Sequence, residues 1–379
     1  MLVMDQGRNV VSSKQSKNSM ITSSKLSKQL VDTLLNDLRI LIEQARSRAA
    51  QRINDEIVVL NWEIGNRIHK EILQEERAQY GEQIVIKLAE QLSVEYGRAF
   101  HRSALFRMVQ FVEEFPDKQI VATLSQQLSW SHFRELLPLE NELKRNFYAE
   151  MCRLEGWSVR TLQDKIKRLL YERTAIAKKP EDVAQQELKL LHERGELSPD
   201  LVFRDPYLLD FLGLKNAYDE KDLETAILRE LEQFLLEFGT GFCFVDRQKR
   251  LIIGGNDYYL DLLFYHRGLR RLVVIELKLE RFKAEHKGQI ELYLKWLDKY
   301  ERRQGEESPV GLILCAGKST EEVELLSLDD SGIRVAEYVT QELPKAVLAA
   351  KLHDAIKHAR ERFEATGELK QIQERSSNE

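Results

Sequence analysis

The chain has 379 residues, more than one ordinary core accommodates and enough for two domains. Hydrophobic residues make up 43% and charged residues 31%, the balance of a soluble globular protein, and no apolar run approaches the ~18–20 residues of a membrane span. The net charge of -5 hides a division, because residues 1–180 hold 28 Lys and Arg against 23 Asp and Glu, whereas residues 181–379 hold 29 against 39. Contact with a phosphate backbone would therefore fall to the N-terminal half. Cys152, Cys243 and Cys315 are far apart and odd in number, which argues against a disulfide framework or a zinc site and suits a reducing cytoplasm.

Residues 1–27 are rich in Ser, Lys, Asn and Gln, lack a secretory pattern, and read as a disordered tail. From residue 28 to 177 apolar residues recur at spacings of three and four, the signature of an all-α domain. Ile57, Leu60, Trp62, Ile64, Ile68 and Ile72 form a buried stripe, which Gly65 weakens locally. A second helix is expected from Glu82 to Tyr96, stopped by Gly97, and a third from His101 to Phe115, ended by Pro116. This pair resembles a helix-turn-helix whose second helix would offer Arg98, His101, Arg102 and Arg107 to DNA. Two Trp-Ser steps follow, and Ser131 and Ser158 are candidate N-caps. Basic residues are densest from Lys144 to Lys179, so Arg160, Lys165, Lys167 and Arg168 are candidate phosphate contacts. An ordinary helical bundle with solvated charged faces gives the same pattern.

Residues 178–200 read as a charged connector, and the pattern then changes. One amphipathic helix is expected over Asp222–Phe238, closed by Gly239. Gly241–Ile253 alternates as two short strands, Asp257–His266 and Arg270–Leu279 give two more, and Phe282–Tyr300 is helical. Strands at Val310–Cys315 and Ile333–Tyr338 complete residues 201–343 as an α/β domain around a mixed sheet. Residues 344–379 form a charged helix and a polar tail.

The chemistry concentrates in one hairpin. Gly268-Leu269 sits where a two-residue turn belongs, with Gly suited to the first position of a type II′ turn. Pairing about that centre makes opposed residue numbers sum to 537 and sets Asp261 against Glu276. Lys278 follows two residues later on the same face, while Val273, Ile275 and Leu277 point the other way. Facing carboxylates in a strand pair repel, so something must offset the cost. Mg²⁺ or Mn²⁺ would do so, with Lys278 stabilising charge on a phosphate. A surface ion pair between Glu276 and Lys278 is the simpler alternative, made less apt by the apolar strand around it and the facing Asp261. Gly317-Lys318-Ser319 does not make a phosphate loop, since Leu312 stands where a Walker loop needs Gly. His266 and His286 lack metal-ligand spacing and read as hydrogen-bonded neighbours or substrate-side contacts.

Asp261 before Glu276-Leu277-Lys278, with Gln289 and Tyr293 on the next helix, resembles the PD-(D/E)XK nucleases. The segments FLGL, FLLEFGTGFCFVDRQ, YYLDLLFYHRGLRRLVVIELK and GQIELYL resemble the YhcG-type members of that superfamily. NWEIGNRI, YGEQIVIKLAEQLSVEYGRAFHRSALFRM, LSQQLSWSHFRELL and GWSVRTLQDKI resemble the helical domain that precedes their nuclease domain. The resemblance implies a two-domain α+β protein with a restriction-endonuclease-like C-terminal domain that cleaves phosphodiester bonds with a metal, DNA binding falling to the helices. It also implies Asp261 and Glu276 as metal ligands, Lys278 as the catalytic lysine, Gln289 and Tyr293 beside the site, and Glu224 as the first-helix carboxylate, with Glu230 the weaker choice. Leu260 stands in place of the motif's proline, which the chemistry does not need. The expected function is a cytoplasmic Mg²⁺- or Mn²⁺-dependent DNA endonuclease, with a homo-oligomer the simplest way to cut two strands. The alternative is a non-cleaving DNA-binding or scaffolding protein on the same fold.

Overall fold

A computed structural model describes residues 9–74, 78–214, 218–341 and 343–376. The chain divides into two compact units, Met1–Trp130 and Ser131–Glu379.

The first unit contains α1 (Asn9–Gln74), α2 (Ala78–Tyr96), α3 (Arg102–Glu114) and α4 (Lys118–Ser125). Residues 1–8 of the expected tail lie outside the described residues, and α1 begins at Asn9 within the rest of it. Val58, Trp62 and Ile68 of α1 are buried, as are Val85 and Ala89 of α2 and Leu105, Met108 and Val109 of α3, whereas Ile57 and Leu60, expected in the buried stripe of α1, are exposed and the side chain of Ile72 lies outside the described residues. Gly65 has a packing reason: a Cβ there would lie 1.8 Å from the Met108 carbonyl oxygen, so α1 and α3 cross where a side chain cannot fit. Gly97, at φ 87°, ends α2, and the His101 side chain accepts from the Ala104 N–H to cap α3. The Trp62 indole N–H donates to the Phe115 carbonyl at 2.8 Å, fixing α1 to the end of α3.

The second unit opens in α5 (Trp130–Leu136), which begins in the boundary residue, and continues through α6 (Glu142–Glu155), α7 (Val159–Lys167), α8 (Leu170–Arg173), α9 (Glu181–Arg194) and α10 (Pro199–Val202). Ser158 caps α7 by accepting from the Thr161 N–H, whereas Ser131 lies inside α5 rather than at its cap. Then come β1 (Tyr207–Leu208), α11 (Glu220–Arg229), α12 (Leu231–Phe238), β2 (Phe242–Ile253), β3 (Asn256–His266), β4 (Arg271–Arg281), α13 (Ala284–Tyr300), β5 (Val310–Gly317), α14 (Thr320–Leu325), β6 (Ile333–Val339) and α15 (Lys345–Ser376). The single helix expected over 222–238 is two, broken at Glu230. The two short strands expected over 241–253 are one, bent by a register shift between Phe244 and Asp246.

The sheet runs β1-β6-β5-β4-β3-β2, with β2, β3 and β4 antiparallel in sequence and β4, β5, β6 and β1 parallel. One face carries Leu262, Phe264, Val273, Ile275, Leu277, Leu312 and Leu314 against Leu223, Ile227, Phe234 and Phe238 of α11 and α12. The other carries Leu263, Val274, Ile313 and Cys315 against Ile290, Leu294 and Leu297 of α13. The hairpin register matches the expectation, from His266 opposite Arg271 to Leu262 opposite Ile275. Its turn does not: four residues link the strands, the Arg270 N–H donates to the Arg267 carbonyl, and the left-handed residue is Arg270 at φ 51°. Both turns share one centre, so the register survives the change. A Cβ at Gly268 would come within 2.6 Å of Leu197 Cδ1, the end of a side chain that would have to turn aside.

Residues 131–177, expected with the N-terminal helices, group with the sheet because buried charge ties them to it. Arg173 is fully buried, pairs with Glu237 of α12 and donates to the Pro206 carbonyl at 3.1 Å. Lys165 donates to the Leu236 carbonyl at 2.8 Å, Arg168 lies 3.3 Å from Asp210, and Thr174 bridges Arg204.

Candidate active site

Three neighbouring strands bring their functional side chains into one row. Continuing the β3–β4 register by one step places Asp261 opposite Glu276, and the β2–β3 register places Gln248, between Arg247 and Lys249, opposite Asp261. The interactions confirm the row. Asp261 Oδ2 accepts from the Leu277 N–H at 2.9 Å, and Oδ1 accepts from Gln248 Nε2 at 3.1 Å. Glu276 Oε1 lies 3.4 Å from the Asp261 N–H, and Lys278 Nζ lies 3.7 Å from Glu276 Oε2. Glu276 and Lys278 share the sheet face of Val274 rather than that of Ile275 and Leu277, as strand alternation requires.

Helices on both faces complete the site. From α13, Gln289 Nε2 donates to Glu276 Oε2 at 3.3 Å and to the Tyr293 hydroxyl at 2.9 Å, and that hydroxyl donates to the Tyr259 carbonyl at 3.2 Å. Burial raises the Tyr293 pKa, which keeps the hydroxyl protonated for this relay. From α11, Glu224 accepts from Gln248 Nε2 at 2.9 Å, so one amide spans the Glu224 and Asp261 carboxylates. Glu230 takes no part; it pairs with Arg229 where α11 ends.

The electrostatics are unbalanced toward negative. Glu276 is only 2% exposed, and burial, followed by the charge of Asp261, pushes its carboxyl up to about 8. Burial likewise raises Asp261 and Glu224, with Glu220 adding to the repulsion felt by Asp261 and Glu276. Lys278 is the cation paired with Glu276 in the row. The donor set therefore fits a hard divalent cation: carboxylate oxygens held in place by backbone and amide donors, with more negative charge than one lysine offsets. Among the described residues, the three ligand atoms lying within 4.8 Å of one another belong instead to Glu280, Glu285 and His286. The Lys283 ammonium pairs with both of those glutamates, so that cluster already contains its cation.

Two residues escaped the sequence reading. Gln248 was legible in principle: the Gly254-Gly255 turn centres a second hairpin whose paired numbers sum to 509, as Arg247 opposite Leu262 shows, but only if residues 242–253 form one strand. Glu220, one helical turn before Glu224, had no distinguishing signal.

The other expectations divide. Arg98 and Arg102 are exposed, and Arg102 pairs with Glu82 at 2.6 Å and lies over Phe106. Arg102 and Arg107 border an open concavity of about 600 Å³ with His101, Ser103 and Phe106. Arg160 and Lys167 are exposed, but Lys165 and Arg168 are engaged within the second unit. Burial, with Arg204 nearby, lowers Lys165 to about 8. The basic run from Lys144 to Lys179 is thus not one phosphate-facing surface, since Lys144, Arg153, Arg173, Lys178 and Lys179 also pair with acidic side chains. Lys318 is bound to Asp205 and the Val335 carbonyl, as befits a residue outside any phosphate loop. His266 accepts the Leu269 N–H, and His286 accepts the Lys283 N–H.

The mixed sheet, its flanking helices and an Asp…Glu-x-Lys row at the meeting of β3 and β4 define the class: a PD-(D/E)XK nuclease domain. Residues 200–353 match the family model described as YhcG PDDEXK nuclease domain, and residues 37–173 match the DUF1016 N-terminal domain. The chain is 34% identical over 343 residues, covering 82% of this chain and 87% of the relative, to a protein of Escherichia coli (strain K12) named "Putative nuclease YhcG". It belongs to the YhcG PDDEXK nuclease family. Solved structures described as "Structure of EndoMS-dsDNA2 complex" and "crystal structure of a repair endonuclease from Pyrococcus abyssi" align at 18% and 23% identity. They cover 34% of this chain and 49% and 50% of theirs, with TM-scores of 0.25 and 0.23. No helix among the described residues is long and apolar enough to cross a membrane.

Proposed function

We propose that the protein is a Mg²⁺- or Mn²⁺-dependent endonuclease that hydrolyses DNA phosphodiester bonds, with its basic helical residues holding the DNA. The observation that carries this reading is the Glu276 carboxyl, buried beside Asp261 and pushed up to about 8, an arrangement that costs stability unless a cation joins it. Asp261 and Glu276 would hold the ion, and Glu224 would complete its surroundings through Gln248. The ion would supply an activated water and neutralise charge on the phosphate.

The chain's own groups have separable tasks. The Leu277 N–H and Gln248 fix the two oxygens of Asp261, and Gln289, braced by Tyr293, fixes Oε2 of Glu276. Lys278 sets its Nζ 3.7 Å from Glu276, where it would face the charge that a phosphate entering the site gains in the transition state. DNA would be met by Arg98, Arg102, Arg107, Arg160 and Lys167, consistent with the basic excess of residues 1–180. A cytoplasmic location, read from the three free cysteines, belongs to the same proposal.

The test is cleavage of single-stranded, duplex and branched DNA by the full-length protein with Mg²⁺ or Mn²⁺. Asp261→Asn and Lys278→Ala should each lower the rate by at least ~10³-fold while leaving DNA affinity within about twofold. Undiminished cleavage by both variants would remove the proposal, as would an active wild type indifferent to a metal chelator.

A further inference from the structure

We infer that α1 carries an antiparallel homodimer contact, formed by its exposed apolar stripe meeting the same stripe on a second copy of this chain. The helix has two apolar faces. Val58, Trp62, Gly65 and Ile68 share one buried helical face, on which Gly65 and Ile68 meet α3 and Trp62 bonds to Phe115 just beyond it. A second stripe starts earlier, at Leu34, and continues through Leu38, Leu41, Ala45, Ala49, Ile53, Ile57 and Leu60 in steps of three and four. At ~100° per residue its centre lies roughly opposite Val58, on the side away from α3. All eight residues are exposed, the six large ones by 43% to 62%. Single exposed leucines need no explanation, but a continuous stripe about 39 Å long does.

The stripe names its own occupant. Numbered about its midpoint, it reads nearly the same in both directions: Leu34 falls opposite Leu60, Leu38 opposite Ile57, Leu41 opposite Ile53, and Ala45 opposite Ala49, every pair summing to 94 or 95. A twofold axis perpendicular to the helix therefore sets large residues against large at both ends and alanines together in the middle. Small central residues let two helices approach closely, and the flanking leucines and isoleucines then interlock. The same axis resolves a charge that the stripe otherwise leaves exposed to burial. Glu56 lies within the apolar band, and an antiparallel partner brings Arg39 to it, again with a sum of 95. A parallel partner would instead stack Glu56 on Glu56 and Arg52 on Arg52, which repel. An unrelated partner has no reason to require a near-palindrome. Such an isologous contact closes after two copies.

Sedimentation of the full-length protein at micromolar concentration, without metal or DNA, should show a dimer, so the result is independent of whether the nuclease site is active. Ile53→Asp should shift it to a monomer, raising the dissociation constant at least ~100-fold, with an unchanged far-ultraviolet spectrum. Arg39→Glu should also weaken the dimer, and adding Glu56→Arg should restore it. Cysteine pairs give the direction. In a Cys243→Ser background, Ala45→Cys with Ala49→Cys should cross-link two chains under mild oxidation, while Leu34→Cys alone, ~39 Å from its twin, should not. A wild type that stays monomeric at ~50 μM, a dimer untouched by Ile53→Asp, or efficient Leu34→Cys cross-linking would overturn the proposal.

Discussion

Two regions of the second unit bury charged side chains, and they do so with opposite outcomes. Around Glu237, burial alone would raise the carboxyl, but Arg173 and Arg204 overcome it and hold the group below the usual carboxylate range. Arg168 stands 3.6 Å away as a third cation, and Leu208 donates its N–H at 3.0 Å. Around Glu276 the same burial is reinforced by Asp261, and the group rises to about 8. One cluster is satisfied by the chain itself, and the other keeps more carboxylate charge than its paired lysine offsets. Buried charge that a protein pairs internally reads as architecture, and buried charge left in excess reads as a site.

The largest expected effect separates these roles. Glu237→Gln leaves Arg173 and Arg204 buried without their counter-ion and should cost about 3–5 kcal/mol in urea unfolding. A loss below ~1 kcal/mol would show that solvent reaches the cluster and that the contrast is false.

Glu276→Gln should act in the other direction on the metal-free protein. Because the folded-state pKa of Glu276 lies above its unfolded value, its stabilising contribution is complete below about 4.5 and is lost as pH rises through about 8. Metal-free stability should therefore fall by a few kcal/mol between those limits, and the Glu276→Gln variant should show a flattened slope together with abolished cleavage. Added Mn²⁺ should flatten it in the wild type too, by displacing the proton. A pH-independent metal-free stability would contradict the assignment.

A smaller change is expected at Gln248, which would act on the proposed metal only through Asp261 and Glu224. Gln248→Ala should weaken metal affinity or cleavage by ~10–100-fold, an effect partly rescued by higher Mn²⁺ concentration. Rescue would not follow if Gln248 were needed only for folding. Least affected should be Arg107→Ala, whose removal should lower DNA affinity severalfold and reduce the salt dependence by about one contact while leaving metal binding intact. No change in the salt dependence would exclude Arg107 from the proposed DNA contacts.

Much of the site was legible because strands alternate with a period of two and hairpins pair about a centre. Those rules set Asp261 against Glu276 even though the turn assumed for them was the wrong one, since a four-residue turn keeps the midpoint of a two-residue turn. They missed Gln248 because a bend in β2 resembles a break between strands, and one misplaced boundary conceals the whole row. The helical half was less legible. Periodicity located α2 and α3, yet Gly65 looked like a flaw until its contact with Met108 showed two helices crossing there.

By itself, then, the sequence determined the β3–β4 register, the face shared by Asp261, Glu276 and Lys278, and the family to which the chain belongs. Tertiary structure alone decided that Lys165 and Arg168 turn inward, that residues 131–177 join the sheet, and that Gln248 bridges two carboxylates. The reason is physical: local pattern fixes neighbours along a strand or helix, whereas the partner of a charge is chosen by folding segments distant in the chain into one low-dielectric space.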